Sequence, residues 1–319
     1  MTERPSPPES RSDPSAPAAL EAGARRRAPW PPSSAAPTAH RSDRAVSLAA
    51  GACALLSGSL LLWVLVFVLR EAAPALAGGS PARFLSLAWR PGEGLFGLVP
   101  LFAGTLGVSA GALCLAGPFG LGCALFVRFY APAAGARALR ALLALLAGVP
   151  SVVYGLWGLT VLVPLVARAA PPGASLLSGA LVLALMILPT LALAADAALG
   201  AIPPEVTASA HALGLSRASV ALRVALPAAR SGLWTGAVLA VGRALGETMA
   251  VLLVCGNVPR LPRSPFDPVR TLAANVALEM GYALGEHRAA LFVSALALLL
   301  LVGSLIALAH GLGGRRRGA

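Results

Sequence analysis

Charge is scarce in this chain: 12% of its 319 residues are Asp, Glu, Lys or Arg, against about 25% in a soluble domain. Lysine is missing altogether, so the basic side chains are all arginine. The four cysteines, Cys53, Cys114, Cys123 and Cys255, lie in apolar runs without C-x-x-C spacing. That pattern supports neither a zinc ribbon nor a disulfide framework, and it leaves the cysteines as small packing residues. His40, His211, His287 and His310 are too scattered to form a ligand pair by spacing. There is no G-x-x-x-x-G-K-[ST] loop, which excludes a P-loop nucleotide site on this chain.

Apolar sequence fills the space: 57% of residues are hydrophobic and the mean hydropathy is +0.78. The chain reads as an all-α integral membrane protein. Its net charge of +12 raises the question of nucleic acid. The arginines, however, sit at the ends of apolar segments with no aromatic interleaving, which is a topology signal. Residues 1–44 are rich in Pro, Ala, Ser, Arg and Glu and cannot bury enough surface to offset their ordering entropy; a disordered basic tail is expected there. Arg25-Arg26-Arg27 is followed by a polar, proline-rich stretch instead of an apolar signal region, so a twin-arginine signal is not supported.

Six spans are expected from apolar runs of about 20 residues, at 45–69, 98–127, 139–166, 175–200, 233–257 and 289–309. The first reads as an uncleaved anchor within a 45–97 segment, followed by a transmembrane domain over 98–311 and a basic end over 312–319. Placing both termini in the cytoplasm puts Arg128, Arg137, Arg140, Arg217, Arg223, Arg230 and Arg315-Arg316-Arg317 inside, as the positive-inside rule requires. Arg260, Arg263, Arg270 and Arg288 in an outer link run against that bias.

The fifth run carries Arg243 and Glu247 near its middle. A charge at the centre of a spanning helix costs roughly 2.5–3.5 kcal/mol on insertion scales. Four residues apart, the two share a helix face and can neutralise each other, either as a structural ion pair or as groups on a polar path. Gly242 and Gly246 form a G-x-x-x-G pair on the same run, which lets another backbone approach. Gly107-Val108-Ser109-Ala110-Gly111 matches G-x-S-x-G, but it lies in an apolar helix with no His or acid beside it, so close helix packing is expected. Gly148-Val149-Pro150-Ser151 breaks or kinks the third span.

The link between spans four and five reads AIPPEVTASAHALGLSRASVALRVALPAARSG. Pro203-Pro204 starts a helix, Gly214 stops it, and a second short helix begins near Ser216 and ends at Pro227. Two short helices at an angle make a compact knob.

This link resembles the EAA loop of ABC-importer permeases: Ala208-Ser209-Ala210, Gly214 and Val224-Ala225-Leu226-Pro227 fall at the family's spacing, with Ala208 where the family usually has Glu and Glu205 one helical turn earlier. The 147–156 stretch AGVPSVVYGL and the 242–251 stretch GRALGETMAV resemble phosphate-specific permeases. Arg270-Thr271-Leu272-Ala273-Ala274-Asn275, Ala277-Leu278-Glu279, Gly285-Glu286-His287-Arg288 and Ala290-Leu291-Phe292 are similar to the PstC type. The resemblance runs from about Leu98 to the C-terminus. It implies a six-span, MetI-like type I importer permease that imports phosphate across the prokaryotic plasma membrane. Its partners would be a PstA-like permease, two PstB-like ATPases and a PstS-like phosphate-binding protein, with no role for nucleic acid. It also implies a coupling loop (Glu205, Ala208, Ser209, Ala210, Gly214, Leu226, Pro227) and a substrate path at Arg243, Glu247 and Ser151. No cofactor is expected on this chain; ATP and Mg2+ belong to the ATPase. Molybdate or sulfate is the competing substrate class. An ion-coupled secondary transporter is the more distant alternative, since no paired repeat of broken helices is visible.

Overall fold

The computed structural model describes residues 37–78 and 80–315. The expected tail thus lies largely outside the described residues, as do Arg316 and Arg317. Helix α1, Pro37–Ala77, starts before the expected boundary at residue 45 and continues past residue 69 with Pro74 inside it. The described residues up to Trp63 and those from Val64 onward separate into two units. In the first, the apolar side chains of α1 are open, with Leu55 at 78% and Leu61 at 74% exposure, as a lipid-facing or partner-facing helix requires.

The second unit continues with a two-stranded antiparallel ribbon, β1 (Trp89–Arg90) and β2 (Leu95–Phe96). It is followed by α2 (Val99–Phe129), α3 (Ala133–Gly148), α4 (Ser151–Ala167) and α5 (Leu176–Gly200). The knob is α6 (Pro204–Ala212) and α7 (Arg217–Ala228); then come α8 (Arg230–Leu245), α9 (Met249–Val254), α10 (Leu272–Glu279) and α11 (Gly285–Arg315). Among the described residues four helices are long and apolar enough to cross a membrane singly, and six spans result if each bent pair counts as one.

Two expected spans are broken. The third turns by 91° between α3 and α4, which realises the break expected at Gly148–Ser151. Tyr154 Oη donates to the Leu146 carbonyl at 2.9 Å across the break, where that carbonyl also accepts the Val149 N–H at 3.2 Å. The fifth, expected as one helix over 233–257, is corrected: α8 stops at Leu245, Gly246–Thr248 is non-helical, and α9 is a separate short helix. The 72° bend in this region falls instead between α7 and α8. Both π-helical turns, Gly158–Leu162 and Val220–Ala225, precede a proline, Pro164 and Pro227. A proline lacks the N–H for its i−4 carbonyl and clashes with it, and a widened turn relieves both problems.

Lipid is as apolar as leucine, so apolar burial alone does not hold these helices together; close contact between small residues does. The α2–α5 pair shows it. A Cβ on Gly107 would meet Leu176, one on Gly111 would meet Ala180 at 2.9 Å, and one on Gly120 would meet Leu191 at 3.0 Å. The contacts advance together along both helices, so the two run parallel. G-x-S-x-G is thus a packing stripe, as expected.

Candidate functional site

The knob is built as its sequence dictates. Pro203 precedes α6 and Pro204 occupies its first turn, where a missing N–H costs nothing. Gly214 turns the chain at φ +78°, a conformation that favours glycine. Ser216 then caps α7, its hydroxyl accepting the Ser219 N–H at 3.3 Å. Helix α7 runs to Ala228, one residue past Pro227 and beyond the expected short helix. Ala210 is buried, whereas Glu205, Ala208, Ser209 and Gly214 are exposed. Leu213 stands out at 82% exposure beside Gly214, the most exposed of the apolar side chains Val206, Leu213, Leu215 and Leu222 on the knob.

The two breaks lie against each other. Helices α4 and α9 pack through Gly155, where a Cβ would sit 2.9 Å from the Ala250 Cα. Ser151, half-buried, opens α4 immediately after its break. Arg243 is exposed on the last turn of α8. The expected pairing of Arg243 with Glu247 is corrected. The helix that would have stacked them ends between them, and Glu247 Oε1 accepts the Ala250 N–H at 3.1 Å, capping α9. Among the described residues Arg243 has no ion pair.

The packing assignment of Gly242 and Gly246 also changes. Within this chain a Cβ at Gly242 would meet nothing within 4 Å, and one at Gly246 only its own helix at 3.6 Å. Both line an open apolar groove of about 660 Å³ with Ala273, Ala277 and Gly303. The intramolecular small-residue pair is Gly232 and Gly236, whose added Cβ atoms would each lie 2.7 Å from Ala198 and Ala194 of α5. That G-x-x-x-G spacing was readable in the sequence one helix region upstream of the charged pair.

The motif residues near the C-terminus converge on one buried carboxylate. Glu279, 6% exposed, accepts from Arg270 Nη1 at 2.5 Å and from Trp89 Nε1 at 2.9 Å, and shares a 2.8 Å hydrogen bond with His287 Nε2. Arg270 also donates to Asn275 Oδ1 and to the Asn257 carbonyl. Its own carbonyl would lie 2.3 Å from any Cβ on Gly104, so only glycine fits there. Nearby in the same link, the N–H groups of Arg263 and Ser264 hold the Asp267 carboxyl below its ordinary value. By sequence spacing these residues are separate signatures, and Trp89 lies outside them.

A family model described as "Binding-protein-dependent transport system inner membrane component" matches residues 116–317. The chain is 36% identical over 238 residues to the probable ABC transporter permease protein YqgH of Bacillus subtilis, covering 72% of this chain and 77% of that one. It is 35% identical over 245 residues to the phosphate transport system permease protein PstC of Mesorhizobium japonicum, covering 70% and 75%. To the PstC of Xylella fastidiosa it is 32% identical over 284 residues, covering 80% and 88%. Among solved structures, an inward-facing MetNI methionine ABC transporter chain superposes with a TM-score of 0.55 at 18% identity, covering 74% of this chain and 98% of that one. A chain of a bacterial ABC transporter that imports alginate does so with a TM-score of 0.55 at 14% identity, covering 82% and 96%. At those identities the superpositions establish the fold.

Proposed function

The chain belongs to the family of binding-protein-dependent transport system inner membrane components, and on that premise we propose that it is the PstC-type permease subunit of an ATP-driven phosphate importer. It forms half of the translocation pathway and pairs with a PstA-like permease. Two PstB-like ATPases hold ATP and Mg2+ and dock on the knob; a PstS-like protein delivers phosphate from outside. Both termini and the knob face the cytoplasm. The chain itself holds no cofactor and makes or breaks no covalent bond.

The observation that carries the pathway reading is Arg243. It is an exposed guanidinium with no ion pair among the described residues, on the last turn before the helix break after Leu245 in a membrane protein. A charge so placed is costly unless it faces a polar path or another subunit. A phosphate crossing the membrane must exchange its water for donors, and the planar guanidinium fork matches two phosphate oxygens at once. The first N–H groups of α4, beginning at Ser151, add partial positive charge of the kind that favours an anion. Glu247 supplies the opposing charge that keeps the anion from being held too tightly.

The test is phosphate uptake in cells lacking this chain but retaining its partners. Wild type restores uptake; Arg243→Gln abolishes it while assembly and ATPase docking persist; Arg243→Lys, a point charge without the fork, is partly active. Full uptake by Arg243→Gln overturns the pathway role. Restoration of molybdate or sulfate uptake without phosphate uptake moves the substrate to another oxyanion.

A further inference from the structure

A second basic site lies away from Arg243, at the root of the knob. A cleft of about 420 Å³ is lined by Arg128 from the end of α2, Gly200 from the end of α5, Thr207 and His211 from α6, and Arg217 from α7. Phe129 and Ile202 provide part of its apolar wall, and no carboxylate lines it. Arg128 makes one long hydrogen bond, Nη2 to the Gly200 carbonyl at 3.4 Å, which leaves most of its donors free and offsets the negative end of α5. Arg217 and His211 are exposed, and among the described residues neither forms an ion pair. The carboxylate one turn back on α5, Asp196, is already held by Arg140 through bonds of 2.7 and 3.0 Å. Glu205, the acidic residue of the knob, does not line the cleft.

We propose that this cleft binds a phosphate group. Two guanidiniums and an imidazole line the cleft without a competing acid; Arg128 gives one donor to the Gly200 carbonyl and Thr207 gives its hydroxyl to the Pro204 carbonyl at 3.0 Å, and guanidinium is the side chain best matched to phosphate oxygens. The apolar wall beside the donors suits a phospholipid headgroup at a membrane surface. The volume equally admits inorganic phosphate, which would reach the cleft from the side to which the transporter delivers it. The site is independent of Arg243; it rests on the proposed function only for which side of the membrane it faces.

The assembled transporter, purified with all its subunits, tests this. Its thermal midpoint is measured against inorganic phosphate, with chloride at matched ionic strength as control. It is then measured in nanodiscs of phosphatidylcholine with and without phosphatidylglycerol. Wild type is stabilised by one of the two probes. In the Arg128→Gln/Arg217→Gln double variant the half-saturating concentration rises roughly tenfold or more, as expected for lost charged hydrogen bonds. Arg243→Gln responds as wild type, which separates this site from the pathway even though uptake is lost there. A response to phosphate alone identifies the free ion; a response to phosphatidylglycerol alone identifies a headgroup. If the double variant does not assemble, Arg128→Gln alone decides, because Arg128 lies at the end of α2, outside the knob on which the ATPases dock, and gives up one long hydrogen bond. An unchanged response of these variants to both probes overturns the proposal, as does loss of the response in Arg243→Gln.

Discussion

The Glu247 carboxylate accepts the Ala250 backbone N–H at 3.1 Å and does not reach back to Arg243. The acid therefore has two separable roles, a hydrogen-bond acceptor that caps α9 and a negative charge near the proposed path. Glu247→Gln keeps an acceptor at the cap and removes the charge. Its thermal midpoint in detergent is expected to match wild type while phosphate uptake falls sharply. Glu247→Ala is expected to cost about 1 kcal/mol of stability in addition. Wild-type uptake by Glu247→Gln would leave the residue with the capping role alone. Exchanging the two side chains places an arginine at the cap and is expected to abolish transport.

At Gly214 a Cβ would meet nothing within 4 Å, so the cost of substitution there is purely conformational, set by φ +78°. Asn tolerates this region, Ala pays roughly 1–2 kcal/mol, and β-branched Val more. Co-purification of the ATPase subunit and uptake should therefore decline in the order Asn, Ala, Val, while the thermal midpoint of the membrane domain stays put. Equal ATPase binding across the series would remove the turn from the docking surface.

The two glycine pairs separate experimentally. Gly236→Val drives a side chain into Ala194 and is expected to destabilise the chain by about 1–3 kcal/mol. Gly242→Ala points into open space and is expected to leave the thermal midpoint unchanged. Circular-dichroism melts of both variants in one detergent suffice to compare them.

Glu279 anchors Arg270, Trp89 and His287 at once. Glu279→Ala leaves a largely buried guanidinium uncompensated and should cost about 3–5 kcal/mol. Loss of stability should appear first in the outer link, as faster amide exchange over residues 258–284. Unperturbed exchange there would mean that the cluster adds little rigidity.

Composition and hydropathy alone determined that this is a helical membrane chain, because a bilayer admits few other solutions for so apolar a sequence. Local backbone chemistry determined the knob: Pro204, Gly214, Ser216 and Pro227 act within a turn of themselves, and their effects needed no partner to be legible. The break at Gly148–Ser151 was legible for the same reason. The break after Leu245 was less legible: no proline marks it, Gly246-Glu247-Thr248 is only a short interruption of the apolar run, and α9 packs on α4 through Gly155 and Ala250. That tertiary contact separated Arg243 from Glu247, a pair whose spacing alone had placed them together. The same holds for Glu279 and Trp89, 190 residues apart, and for Arg128 beside Arg217 at the root of the knob. Spacing reports on neighbours within a turn of helix, whereas which charges share a site depends on how distant helices pack, and only the folded chain decides that.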